Sequence, residues 1–344
     1  MRELAQNIGI LGAGAWGTAL ARHLAQKFGH ARIWAYERDV VESINARHLN
    51  EAYLPGIALP EGLSATNDLQ SFAEDLSLLV VVVPSHVLRC VVGELACWLR
   101  ADVPIVCASK GIENDTLMTM DGVLTSVLGA RTPERLSILS GPSFAYDVAR
   151  GKATAVSLAG RNETLCREIQ TCMSNGEFRA YTTPDVLGVE LGGALKNVIA
   201  IAAGASVGLG LGHNATAALV TRGLAEMTRL CVKCGGEALT LSGLSGLGDL
   251  ALTCYGELSR NRDLGYRLGR GESFESIQAS RITVAEGVKT AASAYALSVR
   301  CGVEMPIVQR VYECLYEGKA PAVVLSELMG RDLKRELEFS MRGH

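Results

Sequence analysis

Through the first half of the chain, short apolar runs alternate with segments whose apolar residues recur every three or four positions. Ile8–Gly12 reads as a strand and Ala15–Lys27 as a helix; Ala31–Tyr36 reads as a second strand, followed by a helix through about Asn50. Leu76–Val83 (LSLLVVVV) is apolar almost throughout and β-branched at its end, which suits a parallel strand covered on both faces. A helix over Val87–Trp98 follows. Val103–Ala108, Leu136–Ser140, Ala153–Leu158 and Phe178–Tyr181 read as further strands. Strands alternating with helices indicate a doubly wound α/β domain. From about Thr183 the pattern changes. No convincing strand follows, and helical periodicity runs on, as in Ala215–Cys231, Glu286–Val299 and Ile307–Tyr316. The boundary falls near residues 183–190, giving a sheet domain over 1–185 and an all-helical domain over 186–344.

One apolar stretch, Leu191–Leu211, is about as long as a membrane span. It contains Lys196, Asn197 and five glycines, and an amphipathic helix follows. A buried helix is the better reading, with no membrane span. Lys196 is the only formally charged side chain from Leu191 to Thr221. A buried ammonium is costly unless it is paired or used, and burial lowers its pKa toward the range of a working proton donor or acceptor. Lys196 is therefore a candidate catalytic acid or base. The alternative is a helix-edge lysine whose head reaches water.

Bulk composition narrows the function classes. A chain of 344 residues can bury two cores, and 48% hydrophobic residues with a net charge of -3 are ordinary for a soluble protein. Nothing basic points to nucleic acid, and the first residues, MRELAQ, are not a signal-peptide core. Ten cysteines are scattered along the chain, several in apolar contexts (Cys90, Cys107, Cys172), as expected of reduced, packed thiols in the cytoplasm. Cys231 and Cys234 form the one close pair. A redox couple or half of a zinc site is one reading; no second Cys/His pair at ligand spacing accompanies it, so packing is favoured and no metal is expected.

The first strand ends in GAGAWG and runs into a helix. In that setting Gly12 permits the tight turn, Gly14 lets backbone approach a pyrophosphate, and Gly17 lets helix pack on strand: a Rossmann-type dinucleotide fingerprint. At the end of the second strand, Glu37 lies 20 positions after Gly17, where an acid binds the 2′-hydroxyl of NAD. Arg38 beside it could instead hold the 2′-phosphate of NADP, so both cofactors stay open, and either charge could simply be a solvated helix start.

Three later strands end in short polar segments at the sheet edge where open α/β folds bind ligands: Pro84-Ser85-His86, Ser109-Lys110-Gly111 and Gly141-Pro142-Ser143. Together they suit a small, oxygen-rich anion beside a nicotinamide. His86 could be a general acid, but a structural or cofactor-side role at the start of its helix is favoured. Further on, Asp249 stands in an apolar segment (GLGDLALTC) and needs a partner, for which a lysine is natural. Arg260, within Ser259-Arg260-Asn261-Arg262, suits forked binding of a phosphate, with Ser259 also a plausible helix cap.

These segments, in order and over nearly the full length, resemble the bacterial NAD(P)-dependent sn-glycerol-3-phosphate dehydrogenases. The resemblance rests on GAGAWGTALA, VVVPSH, SKGIE, SGPSFA, LGGALKNVIAIAAG, TRGLAEM, GLGDLALTC, SRNRDLG, VAEGVKT and GVEMPI. It implies a catalytic role for Lys196. It implies substrate contacts from Lys110, Gly141, Ser143, Lys196, Asp249, Ser259, Arg260 and Asn261. It implies cofactor contacts from Gly12, Gly14, Ala15, Trp16, Gly17, Tyr36, Lys110, Ala145, Arg260, Val284 and Glu286. Tyr36 stands where relatives often carry His or Arg, which leaves the 2′-phosphate preference open unless Arg38 takes over. The resemblance also implies a cytoplasmic homodimer that supplies sn-glycerol 3-phosphate, from dihydroxyacetone phosphate, for phospholipids. Two rivals stand beside it. One is a β-hydroxyacid dehydrogenase of the 6-phosphogluconate type, against which GLGDL and SRN argue. The other is a non-catalytic dinucleotide sensor, which has no need of Lys196, Lys110 and Asp249 together.

Overall fold

The computed structural model describes residues 4–280, 285–333 and 335–336. Eight strands form one sheet in the order β3-β2-β1-β4-β5-β6-β7-β8. They are β1 Ile8–Leu11, β2 Ala31–Trp34, β3 Leu63–Thr66, β4 Leu78–Val81, β5 Ile105–Cys107, β6 Leu136–Ser140, β7 Thr154–Gly160 and β8 Phe178–Thr183. All pairings are parallel except β6 with β7. The alternation of side chains explains the continuous apolar runs. Ile10, Val80, Val106 and Leu139 enter one core, while Leu11, Leu79, Val81, Cys107 and Ile138 enter the core on the opposite face.

The chain leaves β1 toward β2 on one side and returns from β3 to β4 on the other, so a crevice opens at the β1/β4 switch point. Leu11 is in register with Trp34 and with Val81, and Val81 with Cys107. The loops that begin at Gly12, Ala35, Val82 and Ala108 therefore share one edge. The sequence reading missed β3, which is a short half-polar strand (LSAT) with no apolar run to announce it. It also placed Cys90 in packed surroundings, and the structure corrects this. Cys90 is exposed on the outer face of the helix Ser85–Leu95, as is Cys97 just beyond it.

The helical half is organised around Val186–Gly208, which is buried along nearly its whole length. It is the one described helix long and apolar enough to cross a membrane, and 89% of its apolar window is covered by the protein itself. Its acid cap, Asp185, accepts from the backbone N–H of Gly188 at 2.9 Å. The helices Gly212–Lys233, Asp249–Tyr255, Arg260–Gly269 and Glu286–Cys301 pack around it. Gly204 and Gly265 bring two of these backbones into direct contact, since a Cβ on either would overlap the carbonyl of Arg262 or Ile201. That approach delivers Asn261 to the side of Asn197.

Candidate active site

Lys196 lies in the middle of the buried helix and is only 8% exposed, which excludes a lysine head reaching water. Its ammonium donates to Asp249 Oδ1 at 2.5 Å and to Thr253 Oγ1 at 2.9 Å. The other carboxylate oxygen of Asp249 accepts from Lys110 Nζ at 2.7 Å. One buried carboxylate thus joins an ammonium from the helical half to an ammonium from the loop after β5. Asp249 is the first α-helical residue after a π-helical turn over Leu244–Gly248 that runs straight into its helix. Thr253, one turn later, donates to the Asp249 carbonyl at 2.6 Å, so its lone pairs face Lys196.

Two cations and one anion leave this cluster with a net positive charge, ready for an electron-rich oxygen. Burial lowers the Lys196 ammonium to about 8; Asp249 opposes the shift by attraction, and Lys110 adds to it by repulsion. A lysine in this range can hold a proton near neutral pH and release it without a large penalty.

A second network borders the first. Asn261 donates to Asn197 Oδ1 at 3.0 Å and accepts from the backbone N–H of Gly287 at 3.0 Å, and Asn197 donates to Glu286 at 3.5 Å. Three helices are tied together there, at the residue next to Lys196. Ser259 is buried and caps its helix, accepting from the Arg262 N–H at 3.2 Å, as the capping reading expected. Arg260, the next residue, is exposed in the first turn.

The sheet-edge loops converge as anticipated. Ser109 donates to the Val83 carbonyl, a Cβ on Gly111 would meet Ser85, and Ser143 donates to the Gly141 carbonyl at 3.0 Å, toward which Lys110 also points. His86 is exposed in the first turn of its helix. Burial lowers its pKa, Lys289 lowers it further and Glu286 raises it, so it senses the charges at the start of helix 286–301.

The fingerprint turn fits a dinucleotide. Gly12 has φ 118°, open to glycine alone among common residues, and a Cβ on Gly17 would overlap the Gly12 carbonyl. A Cβ on Gly14, by contrast, would meet nothing within 4 Å, so the backbone there faces open space at the start of the helix Ala15–Phe28. Ala15, Trp16 and Ala145 pack against one shared apolar cluster. Tyr36 is 80% exposed, edge-on to Trp34. Glu37 begins its helix but is not simply solvated: the Tyr53 hydroxyl donates to it at 2.7 Å, and this bond, with burial, pushes the Tyr53 phenol up to about 12. Arg38 is exposed. Val284 lies outside the described residues.

Sequence reading missed Thr253 and the Asn197–Glu286 contact. Thr253 was findable, because it stands four residues after Asp249 and so on the same helical face. No group of three metal-ligating side chains occurs among the described residues. A cleft of about 760 Å³ at the opposite end of the sheet, lined by Asp102, Arg131, Arg135 and Asn162, carries none of these groups.

The chain is similar to known proteins over nearly its full length. Models of the NAD-dependent glycerol-3-phosphate dehydrogenase N-terminus and C-terminus match residues 7–166 and 185–326. The glycerol-3-phosphate dehydrogenase (NAD(P)+) of Geobacter sulfurreducens is 51% identical, over 97% of this chain and 99% of its own. That of Myxococcus xanthus is 50% identical, over 95% and 98%. The crystal structure of glycerol-3-phosphate dehydrogenase from Coxiella burnetii superimposes with a TM-score of 0.90 at 39% identity, covering 94% of this chain and 99% of that one.

Proposed function

The chain belongs to the NAD-dependent glycerol-3-phosphate dehydrogenase family, and on that premise we propose which of its residues perform the reaction. The protein is an oxidoreductase that interconverts dihydroxyacetone phosphate and sn-glycerol 3-phosphate with NAD or NADP. The bound nicotinamide supplies or accepts the hydride at C2.

Lys196 moves the proton. In reduction, negative charge grows on the C2 oxygen, and the Lys196 ammonium stabilises it and then protonates it. In oxidation, the neutral amine takes the hydroxyl proton. Asp249 holds Lys196 and Lys110 in fixed positions and keeps the pair of cations affordable in a dry site, and Thr253 fixes the direction of the Lys196 head group. Lys110, Gly141 and Ser143 contact the substrate from the sheet edge. Arg260, Asn261 and Ser259 receive its phosphate, so that binding energy from the phosphate positions C2. Gly12, Gly14, Ala15, Trp16, Gly17, Tyr36, Ala145 and Glu286 hold the dinucleotide, with Lys110 and Arg260 reaching both ligands.

The observation that carries this reading is the single carboxylate of Asp249 bridging Lys196 and Lys110. We further propose a dinucleotide domain over 1–185 and a substrate domain over 186–344, working as a homodimer in the cytoplasm to feed phospholipid synthesis. The direct test follows the absorbance of NADH or NADPH with dihydroxyacetone phosphate, unphosphorylated dihydroxyacetone and a β-hydroxyacid. Turnover with the phosphorylated ketone alone is expected. Equal turnover with dihydroxyacetone would contradict the phosphate anchor.

A further inference from the structure

Cys231 and Cys234 look like a pair in sequence, but the fold separates them. Cys231 is fully buried, and its thiol points to the Glu237 carbonyl at 3.9 Å. Cys234 turns the other way, to a cysteine 67 residues later: its Sγ lies 3.7 Å from Sγ of Cys301. Both of these thiols are half-buried, so a small solute reaches them. Each stands at the carboxyl end of a helix and is followed by a left-handed glycine, Gly235 at φ 99° and Gly302 at φ 64°. Helix ends of this kind yield more readily than helix interiors, and the sulfurs need to close by roughly 1.7 Å to reach bonding distance.

We propose that Cys234 and Cys301 are a peroxide-responsive pair that closes into a reversible intrachain disulfide. One thiol gives up its proton, and its thiolate attacks hydrogen peroxide, breaking the O–O bond and leaving a sulfenic acid and a hydroxide that takes up that proton as water. The second thiol passes its proton to the departing oxygen as its sulfur attacks the sulfenic sulfur, so the S–S bond forms, the S–O bond breaks and a second water leaves. Two thiols are oxidised and one peroxide is reduced. Burial, then Cys301 itself, push the Cys234 thiol up to about 11, with Arg300 pulling the other way, so closure quickens as pH rises above neutral.

The bond clamps helix 212–233 to helix 286–301. The second helix already contacts both halves. Arg300, beside Cys301, donates to the carbonyls of Thr116 and Leu117 in the sheet half, and Glu286 at its other end accepts from Asn197. Closure of the disulfide therefore stiffens a strut between the active-site network and the dinucleotide half.

The test uses the full chain carrying C90S and C97S, which removes the two exposed thiols. After peroxide treatment and alkylation, mass spectrometry should find a peptide pair joined through Cys234 and Cys301, with two thiols lost. The product should revert with dithiothreitol and be absent from C234S and from C301S, while C231S should leave it intact. The thermal midpoint of the oxidised form should exceed that of identically treated C234S by roughly 5 °C. A Cys231–Cys234 bond would overturn the proposal. So would alkylation of both Cys234 and Cys301 under conditions that oxidise Cys90 and Cys97 in the unsubstituted chain. A bond formed without a rise in midpoint would overturn the clamp.

Discussion

Replacing Asp249 with asparagine keeps the shape of the side chain and removes the one anion that touches both lysines. In the native site Lys196 titrates at about 8, so at pH 7 roughly nine-tenths of the molecules hold the ammonium. A carboxylate at hydrogen-bond distance is worth about 1–3 units to its partner, and Lys110 would remain as an unopposed repeller. A loss of about 2 units puts Lys196 near 6 and its protonated fraction at pH 7 near one-tenth. Ketone reduction, which needs the ammonium, should then fall roughly tenfold at pH 7 from protonation alone and recover as the pH drops toward 5. Alcohol oxidation, which needs the neutral amine, should have its acid limb moved down by the same interval. The assay is turnover against pH in both directions at saturating cofactor, for the native chain and for Asp249→Asn. If both directions lose activity with the pH limbs unmoved, Asp249 only positions the lysines and the electrostatic argument is wrong.

Removing the guanidinium with Arg260→Ala should raise the Michaelis constant for dihydroxyacetone phosphate about tenfold or more while changing turnover less; an unchanged constant would place the phosphate elsewhere. Gly14 and Gly17 should separate binding from folding. Gly14→Ala adds a methyl to open space, so urea unfolding should be nearly unaffected while the Michaelis constant for the dinucleotide rises, whereas Gly17→Ala should lower the unfolding midpoint itself. Glu190 gives a pH signature in stability. Burial first, then the nearby Asp121 charge, raise its pKa well above the usual range. The folded state therefore keeps a proton that the unfolded chain gives up, and stability from this group is lost as pH rises through the window between the two values. Glu190→Gln retains an acceptor for the Asp121 N–H and should flatten that loss; identical pH–stability curves for the two proteins would refute the assignment.

Much of this site was legible because its chemistry breaks local rules. Lys196 stood out as a charge in an apolar helix, and Asp249 as its missing partner in another. What the sequence could not reveal was the division of labour at Asp249, whose two oxygens serve lysines 139 and 53 residues away. β3 escaped because LSAT is too short and too polar for periodicity to register. Cys231 and Cys234 are close in sequence, but spacing along a helix end says nothing about where each side chain turns, and the neighbour of Cys234 is Cys301. Cys301 approaches only once helix 286–301 packs beside helix 212–233. In the same way, Glu37 could be placed at the end of β2 from sequence, but the hydroxyl that holds it comes from Tyr53, beyond the next helix.

The central claim is that the proton of Lys196, not only its charge, takes part in the reaction. Lys196→Ala, with its fold verified by circular dichroism and its dinucleotide affinity measured separately, tests this by turnover with dihydroxyacetone phosphate. The account predicts a fall of about a hundredfold or more, with partial recovery on adding small primary amines that can occupy the vacated space and donate a proton. Turnover close to that of the native chain would contradict it.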